Sequence, residues 1–163
     1  MFEALKKKLS KQEGEALYAP IAGQEIPIQE AKDPTFAEEL LGKAIAIIPT
    51  ENKIVSPVDG TVGSVFETKH AITINTKEGG EVLIHVGIDT VQLKGQFYST
   101  FVEDGAKIKK GDLLIEFDKA KVMEAGYDPT VFMVICNTDD YKEIKKPDNQ
   151  MVTNQEVVVQ LVR

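Results

Sequence analysis

The sequence predicts an all-β fold, an antiparallel β-sandwich or barrel of jelly-roll-like, barrel-sandwich type with short helical turns. Three observations carry that prediction. From Tyr18 onward the chain is a succession of short apolar alternations, Gly, Pro, Asp and Asn break it at roughly every eighth to twelfth residue, and only two stretches show helical spacing. The candidate strands, in order, are Glu25–Ile28, Ala44–Pro49, Lys53–Ser56, Gly60–Phe66, Ala71–Asn75, Val82–Val86, Gln96–Phe101, Leu113–Phe117, Thr130–Cys136 and Glu156–Leu161. Each is a run or alternation of apolar side chains closed by a turn-forming residue. Phe36–Leu41 and Lys119–Glu124 are the two helical turns.

Composition narrows the function. The 163 residues, 42% of them apolar, suffice for one domain with a real core, and 28% charged residues of both signs rule out a low-complexity chain. A formal charge of −7 argues against nucleic acid as a partner, because such binding draws on Lys and Arg neutralising phosphates. The lone Cys136 forms no internal disulfide and reads as a small core residue, and the apolar run 131–136 is too short to span a bilayer. With no secretory signal pattern at the N-terminus, a cytoplasmic location is expected.

Residues 1–17 read as an N-terminal leader and 18–163 as a single β-domain. Within 1–11, Met1, Phe2, Leu5 and Leu9 fall at helical spacing, and Lys6, Lys7, Lys8 and Lys11 against Glu3 give a local charge of +3. Two readings stand: a frayed, solvated segment, or an amphipathic turn that touches an anionic membrane surface weakly. An internal echo links Ala19-Pro20-Ile21-Ala22-Gly23 with Ser56-Pro57-Val58-Asp59-Gly60. Pro fixes φ and Gly permits positive φ, so each is read as a corner where the chain enters a sheet.

The two histidines carry the chemistry. His70 precedes Ala71-Ile72-Thr73-Ile74, His85 follows Val82-Leu83-Ile84, and between the runs lies Thr76-Lys77-Glu78-Gly79, read as a four-residue hairpin loop. Closing the strands at Asn75 opposite Gly80 makes facing residue numbers sum to 155, which places His70 opposite His85. Their Cβ atoms are then expected roughly 4.5–5.5 Å apart on one face. A zinc hydrolase needs a third ligand, and the sequence holds no HxH or HExxH. Neither a GxSxG elbow nor a phosphate-cradling Gly-rich loop occurs. Reversible phosphoryl transfer suits the pair, since a neutral imidazole is both nucleophile and leaving group near pH 7 and a second one can donate to phosphoryl oxygens.

The extended pattern Gly79-Gly80-Glu81-Val82-Leu83-Ile84-His85-Val86-Gly87-Ile88-Asp89-Thr90-Val91, preceded by Phe66-Glu67-Thr68-Lys69-His70-Ala71-Ile72, resembles the glucose-type enzyme IIA of the bacterial sugar phosphotransferase system. The likeness extends over Ala19-Pro20-Ile21-Ala22-Gly23, Ile54-Val55-Ser56-Pro57-Val58-Asp59-Gly60 and Leu93-Lys94-Gly95. It implies that His85 accepts a phosphoryl group on Nε2 from HPr and passes it to the cysteine of a IIB domain of a sugar permease. By the same resemblance His70 is the partner imidazole, Thr68 orients it, and the Gly87 carbonyl holds Nδ1–H of His85. The resemblance also implies an apolar docking ring of Phe36, Leu40, Leu41, Phe66, Leu83 and Val91, with Asp33 and Asp89 nearby for a partner's Arg. No cofactor or resident metal is required beyond the covalent phosphoryl group; a zinc ion bridging His70 and His85 with a partner's carboxylate rests on family analogy. Regulatory partners that read the phosphorylation state are compatible with the same site. The chain departs from the family pattern at Gly42-Lys43-Ala44, where relatives commonly carry Gly-Asp-Gly, and in some docking positions that are Leu rather than Phe.

A different class of reading is a lipoyl- or biotinyl-type carrier module. Val102 to Leu113 followed by Asp118-Lys119-Ala120 resembles the stretch before a lipoyl lysine. The spacing from Gly111 to Lys119 is about two residues short of placing that Lys on a hairpin tip, and shared architecture alone assigns no function.

Overall fold

The computed structural model describes residues 14–148 and 150–163. The amphipathic reading of residues 1–11 lies outside them. Among the described residues fourteen strands form: β1 (Glu15–Tyr18), β2 (Gly23–Ile26), β3 (Lys43–Pro49), β4 (Lys53–Val55), β5 (Gly60–Val65), β6 (Ala71–Thr76), β7 (Glu81–Val86), β8 (Tyr98–Thr100), β9 (Lys107–Ile108), β10 (Leu113–Phe117), β11 (Val131–Ile135), β12 (Glu143–Lys145), β13 (Met151–Val152) and β14 (Val157–Val162). Helices α1 (Pro34–Ala37) and α2 (Lys119–Glu124) and three 3₁₀ turns complete the structure. The expected all-β, antiparallel architecture is what forms. Eight strands build one sheet in the order β13-β2-β3-β11-β7-β6-β5-β9, and two three-stranded sheets, β1-β14-β12 and β4-β10-β8, flank it.

The element bounds differ from the sequence reading for local reasons. Strands β1, β9, β12 and β13 were not expected; they are two to four residues long, and distant partners rather than their own composition make them strands. Strand pairing thus begins at Glu15, inside the stretch read as a leader. The run expected at Gln96–Phe101 shrinks to β8 because Lys94, Gly95 and Phe97 all take positive φ. The strand expected at Glu25–Ile28 shifts to β2 because Pro27 has no N–H to give a ladder and Ile28 opens a 3₁₀ turn. Helix α1 starts early, capped by Asp33, whose side chain accepts from the Thr35 N–H, with Pro34 at its first position. It stops before Glu39, whose φ of 54° is left-handed. Cys136 is no core residue: β11 ends at Ile135, and the next side chain is exposed.

The sequence echo proves to be a pair of reciprocal corners. The Tyr18 N–H donates to the Pro57 carbonyl and the Val55 N–H to the Pro20 carbonyl, at 2.9 and 2.8 Å. Gly23 and Gly60 do not take positive φ there. They are needed because a Cβ would stand 2.2 Å from the Ile48 carbonyl oxygen and 2.3 Å from that of Asn75, respectively.

Both faces of the large sheet are apolar at its centre. Ile45, Ile47, Ile72, Ile84, Val131 and Met133 face the main core, shared with Leu17 and Val158 of one small sheet and Ile54 and Leu114 of the other. The opposite face carries a second, smaller cluster of Ala44, Ala46, Ala71, Leu83, Phe132 and Val134, covered by Ile28 and Phe36. Its three alanines leave room for α1 and the turn before it to lie directly on the sheet. In register across that face run Ala46, Phe132, His85 and Ala71.

The hairpin register is one residue away from the expected one. Facing numbers sum to 156, so Ala71, not His70, is opposite His85, and Asn75 pairs with Glu81. The reason lies in the turn. Thr76 belongs to β6: its N–H donates to the Gly80 carbonyl and its Oγ1 accepts from the Gly80 N–H, which leaves a three-residue loop with Gly79 at φ 97°. Replacing Gly79 with Ala is expected to destabilise the fold by about 1 kcal/mol, the cost of left-handed backbone at an L-residue. Gly42→Ala should cost more, about 2–4 kcal/mol, because its φ is 140° and a Cβ would lie 2.1 Å from the Ile135 carbonyl oxygen. Urea denaturation of the two variants checks that order.

Candidate functional site

Three segments meet over the second face of the large sheet. The β5–β6 turn carries Phe66, Thr68 and His70; β7 and the loop after it carry Leu83, His85, Gly87, Asp89 and Val91; the α1 region carries Asp33, Phe36, Leu40 and Leu41. His85 sits on the face dictated by strand alternation, beside Leu83, with Phe132 and Ala71 as its cross-strand neighbours. His70 is outside the strand. The Lys69 N–H closes a tight turn on the Phe66 carbonyl at 2.8 Å, and Lys69 takes φ 62°. That left-handed residue breaks the alternation which would otherwise send the His70 ring to the far face. The two imidazoles therefore meet despite the shifted register, with centroids 4.7 Å apart and planes at 86°.

The backbone between them is fixed by the Val86 peptide group. Its N–H donates to the His70 carbonyl at 2.7 Å. Its carbonyl accepts two hydroxyls, Thr90 Oγ1 at 2.7 Å and Tyr98 Oη at 2.9 Å. Burial holds the Tyr98 phenol up at about 12 against a smaller opposing effect of Thr90, so it stays a donor. Beyond Val86, the Gly87 N–H donates to the Thr130 carbonyl and the Ile88 N–H to that of Asp128, both at 2.9 Å. Gly87 takes φ 96°, and a Cβ there would lie 2.4 Å from Thr90 Cγ2. Neither Thr90 nor Tyr98 was picked out from the sequence. Thr90 follows Asp89 in the matched pattern and was within reach of that reading, whereas nothing local marks the Tyr98 hydroxyl.

Aromatic rings enclose the pair. Phe36 stacks on Phe132 at 4.1 Å and tilts against His85 at 5.0 Å; Phe66 meets the His70 ring edge-on at 5.7 Å. His70 is 3% exposed, and Thr68 Oγ1 lies 2.8 Å from its Nδ1. His85 is half-buried, and its Nδ1 is enclosed in the protein. The Gly87 backbone, which the resemblance assigns to this ring, lies close enough to favour its protonated form.

Burial governs the charge of both rings. Desolvation, reinforced by neighbouring His70, pushes His85 from 6.5 down to about 4, with the Gly87 backbone and the Asp33 carboxylate opposing. Desolvation likewise lowers His70, against an opposing effect of the Thr68 backbone. Two neutral imidazoles face each other at pH 7.

The remaining sequence-picked residues divide by exposure. Phe36 and Leu83 are buried beneath and beside His85, so they support the ring rather than form a surface collar. Leu40, Leu41, Phe66 and Val91 are exposed, at 69%, 46%, 39% and 46%. Asp33 is half-buried at the helix cap, and Asp89 is exposed at φ 58°. Among the described residues no group of three or more His, Cys, Asp or Glu side chains is placed to hold a metal ion, and no helix is long and apolar enough to cross a membrane. Lys119 stands at the first position of α2 with Nζ donating to the Pro49 carbonyl at 3.1 Å, not on a hairpin tip, and the lipoyl-type reading is not favoured.

Comparison with known proteins shows the family to which the chain belongs. Residues 15–141 match the family model described as phosphoenolpyruvate-dependent sugar phosphotransferase system, EIIA 1. The glucose-specific EIIA component of Haemophilus influenzae is 39% identical over 145 residues, covering 89% of this chain and 87% of that protein. That of Oceanobacillus iheyensis is 42% identical over 127 residues, 78% of this chain and 77% of the relative. The β-glucoside-specific EIIBCA component of Dickeya chrysanthemi is 44% identical over 91% of this chain, which spans only 24% of that larger protein. The solved structure of glucose permease IIA from Mycoplasma capricolum superposes with a TM-score of 0.81 at 32% identity, covering 90% of this chain and 94% of that one. The chain belongs to the EIIA family of the phosphoenolpyruvate-dependent sugar phosphotransferase system, as a phosphotransferase component that carries phosphoryl groups.

Proposed function

We propose that His85 is the phosphoryl carrier: it accepts the group on Nε2 from phospho-HPr and passes it to the cysteine of a IIB domain of a glucose-family permease. The observation that carries this reading is the perpendicular pair of uncharged imidazoles, with the Nδ1 of His85 enclosed in the protein. In the accepting step the Nε2 lone pair forms a P–N bond while the bond from phosphorus to the donor imidazole breaks and its electron pair returns to the donor. The next step repeats this with a thiolate as nucleophile and His85 as leaving group. No net proton is consumed in the transfer itself.

His70 supplies the hydrogen bond. When the Thr68 hydroxyl donates to Nδ1, the His70 proton resides on Nε2 and can be given to a phosphoryl oxygen as charge moves across. The Nδ1 of His85 carries the ring proton when Nε2 attacks, and the Gly87 backbone is the acceptor on that side of the ring. Exposed Leu40, Leu41, Phe66 and Val91 form an apolar rim that a partner covers, keeping water from the P–N bond, and Asp33 and Asp89 face the partner's cations. Both partners meet the protein in the cytoplasm, and no cofactor enters either step.

Incubation with phosphoenolpyruvate, Enzyme I and HPr is expected to add one acid-labile phosphoryl group. His85→Ala should take up none; label retained in that variant would overturn the assignment. His70→Gln is expected to accept the group yet pass it on at least tenfold more slowly, roughly the loss of one charge-stabilising donor, and stopped-flow transfer to a IIB domain measures this.

The lowered histidines also set a pH dependence. Between 6.5 and about 4 the unfolded chain binds a proton at residue 85 that the native chain refuses, so stability falls as pH drops through this window and levels off below it. The His85 share is on the order of 1–3 kcal/mol, and His70 acts in the same direction. NMR titration should place the His85 midpoint near 4, and His85→Gln should show a shallower acid loss in urea denaturation; a midpoint near the ordinary 6.5 would refute the buried, uncharged site.

A further inference from the structure

The turn between α1 and β3 holds two exposed apolar side chains, Leu40 and Leu41, yet it is tied down along its length. At its start Asp33 caps α1, and Phe36 is stacked on Phe132. At its end Gly42 packs on the Ile135 carbonyl, and the Lys43 N–H donates to Thr138 Oγ1 at 2.9 Å, which in turn donates to the Ile135 carbonyl at 2.6 Å. In the middle stands Glu39, in a left-handed conformation that an L-residue adopts only at a cost of roughly 1–2 kcal/mol.

The Glu39 side chain explains why that conformation persists. Its Oε2 accepts from the Ala44 N–H and from Lys146 Nζ, both at 2.8 Å, and its Oε1 from Lys43 Nζ at 3.5 Å. Only 15% of the Glu39 side chain is exposed, against 27% for Lys146 and 52% for Lys43. Burial works against ionisation of Glu39, but Lys146, the Ala44 N–H and Lys43 outweigh it and lower its pKa, so the clamp is charged at neutral pH. Lys146 reaches this turn from the segment after β12, more than a hundred residues away in sequence. A partly exposed ion pair contributes little to global stability, so its effect is geometric.

We propose that Glu39, held by Lys146, is a positioning residue that pre-sets the Leu40–Leu41 turn for the incoming partner protein. The inference rests on the phosphocarrier reading above, in which that turn is part of the docking rim. A turn ordered only on contact would charge each encounter with the entropy of fixing its backbone and two leucines; a turn already ordered removes that cost from binding. Phe36 keeps its own anchors, the stack on Phe132 and the Asp33 cap, so loosening Glu39 frees the rim and leaves the ring beneath His85 in place. The signature is therefore a change in KM without one in kcat.

The full chain is assayed for phosphoryl acceptance from phospho-HPr over a range of protein concentrations. Lys146→Met and Glu39→Gln are each expected to raise KM about three- to tenfold, the loss of about one ordered side chain's worth of preorganisation, with kcat within about twofold of wild type. The double variant should be little worse than either single one, since both remove the same contact. Lys146→Arg, which keeps the charge and reach, should restore most of the affinity. Unchanged KM in Lys146→Met, a fall in kcat at constant KM, or additive effects in the double variant would each overturn the clamp while leaving the carrier assignment intact. A wild-type chain that accepts no phosphoryl group would instead overturn the carrier reading and the clamp with it. Lys146→Met decides the matter if Glu39→Gln fails to fold, because Lys146 lies outside any strand or helix.

Discussion

The Val86 peptide group is the point on which the site turns. Its N–H takes the carbonyl of His70, and its own carbonyl takes the hydroxyls of Thr90 and Tyr98. One planar unit thus fixes the backbone beside both imidazoles. Two hydroxyl donors on a single buried carbonyl use both of its lone pairs, and release of either would leave a polar group unsatisfied at about 1–3 kcal/mol. The β7 strand before Val86 and the loop after it are therefore held in one orientation, and the ring of His85 inherits that orientation. A mobile loop cannot give a nucleophile this; a strand end buttressed by hydroxyls can.

Placing the rings on a second apolar face of the sheet has an electrostatic consequence. Phe36, Phe132 and the alanines around them offer little to solvate an imidazolium, so the free base is the stable form. Nucleophilicity is thereby preserved at neutral pH without a dedicated general base. In the proposed transfer, the charge arriving with the phosphoryl group must meet a donor in these apolar surroundings. On that proposal the donor is His70, which stands at right angles to His85, and the tight turn at Lys69 is what brings it there.

Much of this was legible in the sequence, and the failures have identifiable causes. Alternation placed Leu83 and His85 on one face, and turn chemistry located most long strands, because period and breakers are local signals. The register slipped by one because Thr76 is a turn-type residue that here closes the ladder through its backbone and hydroxyl. The two histidines are adjacent through the turn and not through the strand register: a non-glycine residue at positive φ brings them together, and nothing in the identity of Lys69 announces that conformation. The Pro–Gly echo was visible, but its reciprocal hydrogen bonds and the close carbonyl approach that excludes a Cβ are tertiary facts. Cys136 was misread because one residue decides whether an apolar run is still a strand.

A carrier that must receive from one protein and give to another cannot tailor its rim to either. Directional contacts optimised for the first partner would leave buried polar groups unpaired against the second, at a cost that aliphatic surface avoids. Exposed Leu40, Leu41, Phe66 and Val91 are suited to such shared use, since apolar burial asks only for contact and not for geometry. The demand for precision then falls on how the rim is held, not on what it is made of. The fold answers by fastening adaptable side chains to a rigid frame: Asp33 and Glu39 pin the first segment, Lys69 and Thr68 the second, and the hydroxyls on Val86 the third. The placing of the two imidazoles is set by backbone, while the exposed rim around them is a surface with few commitments.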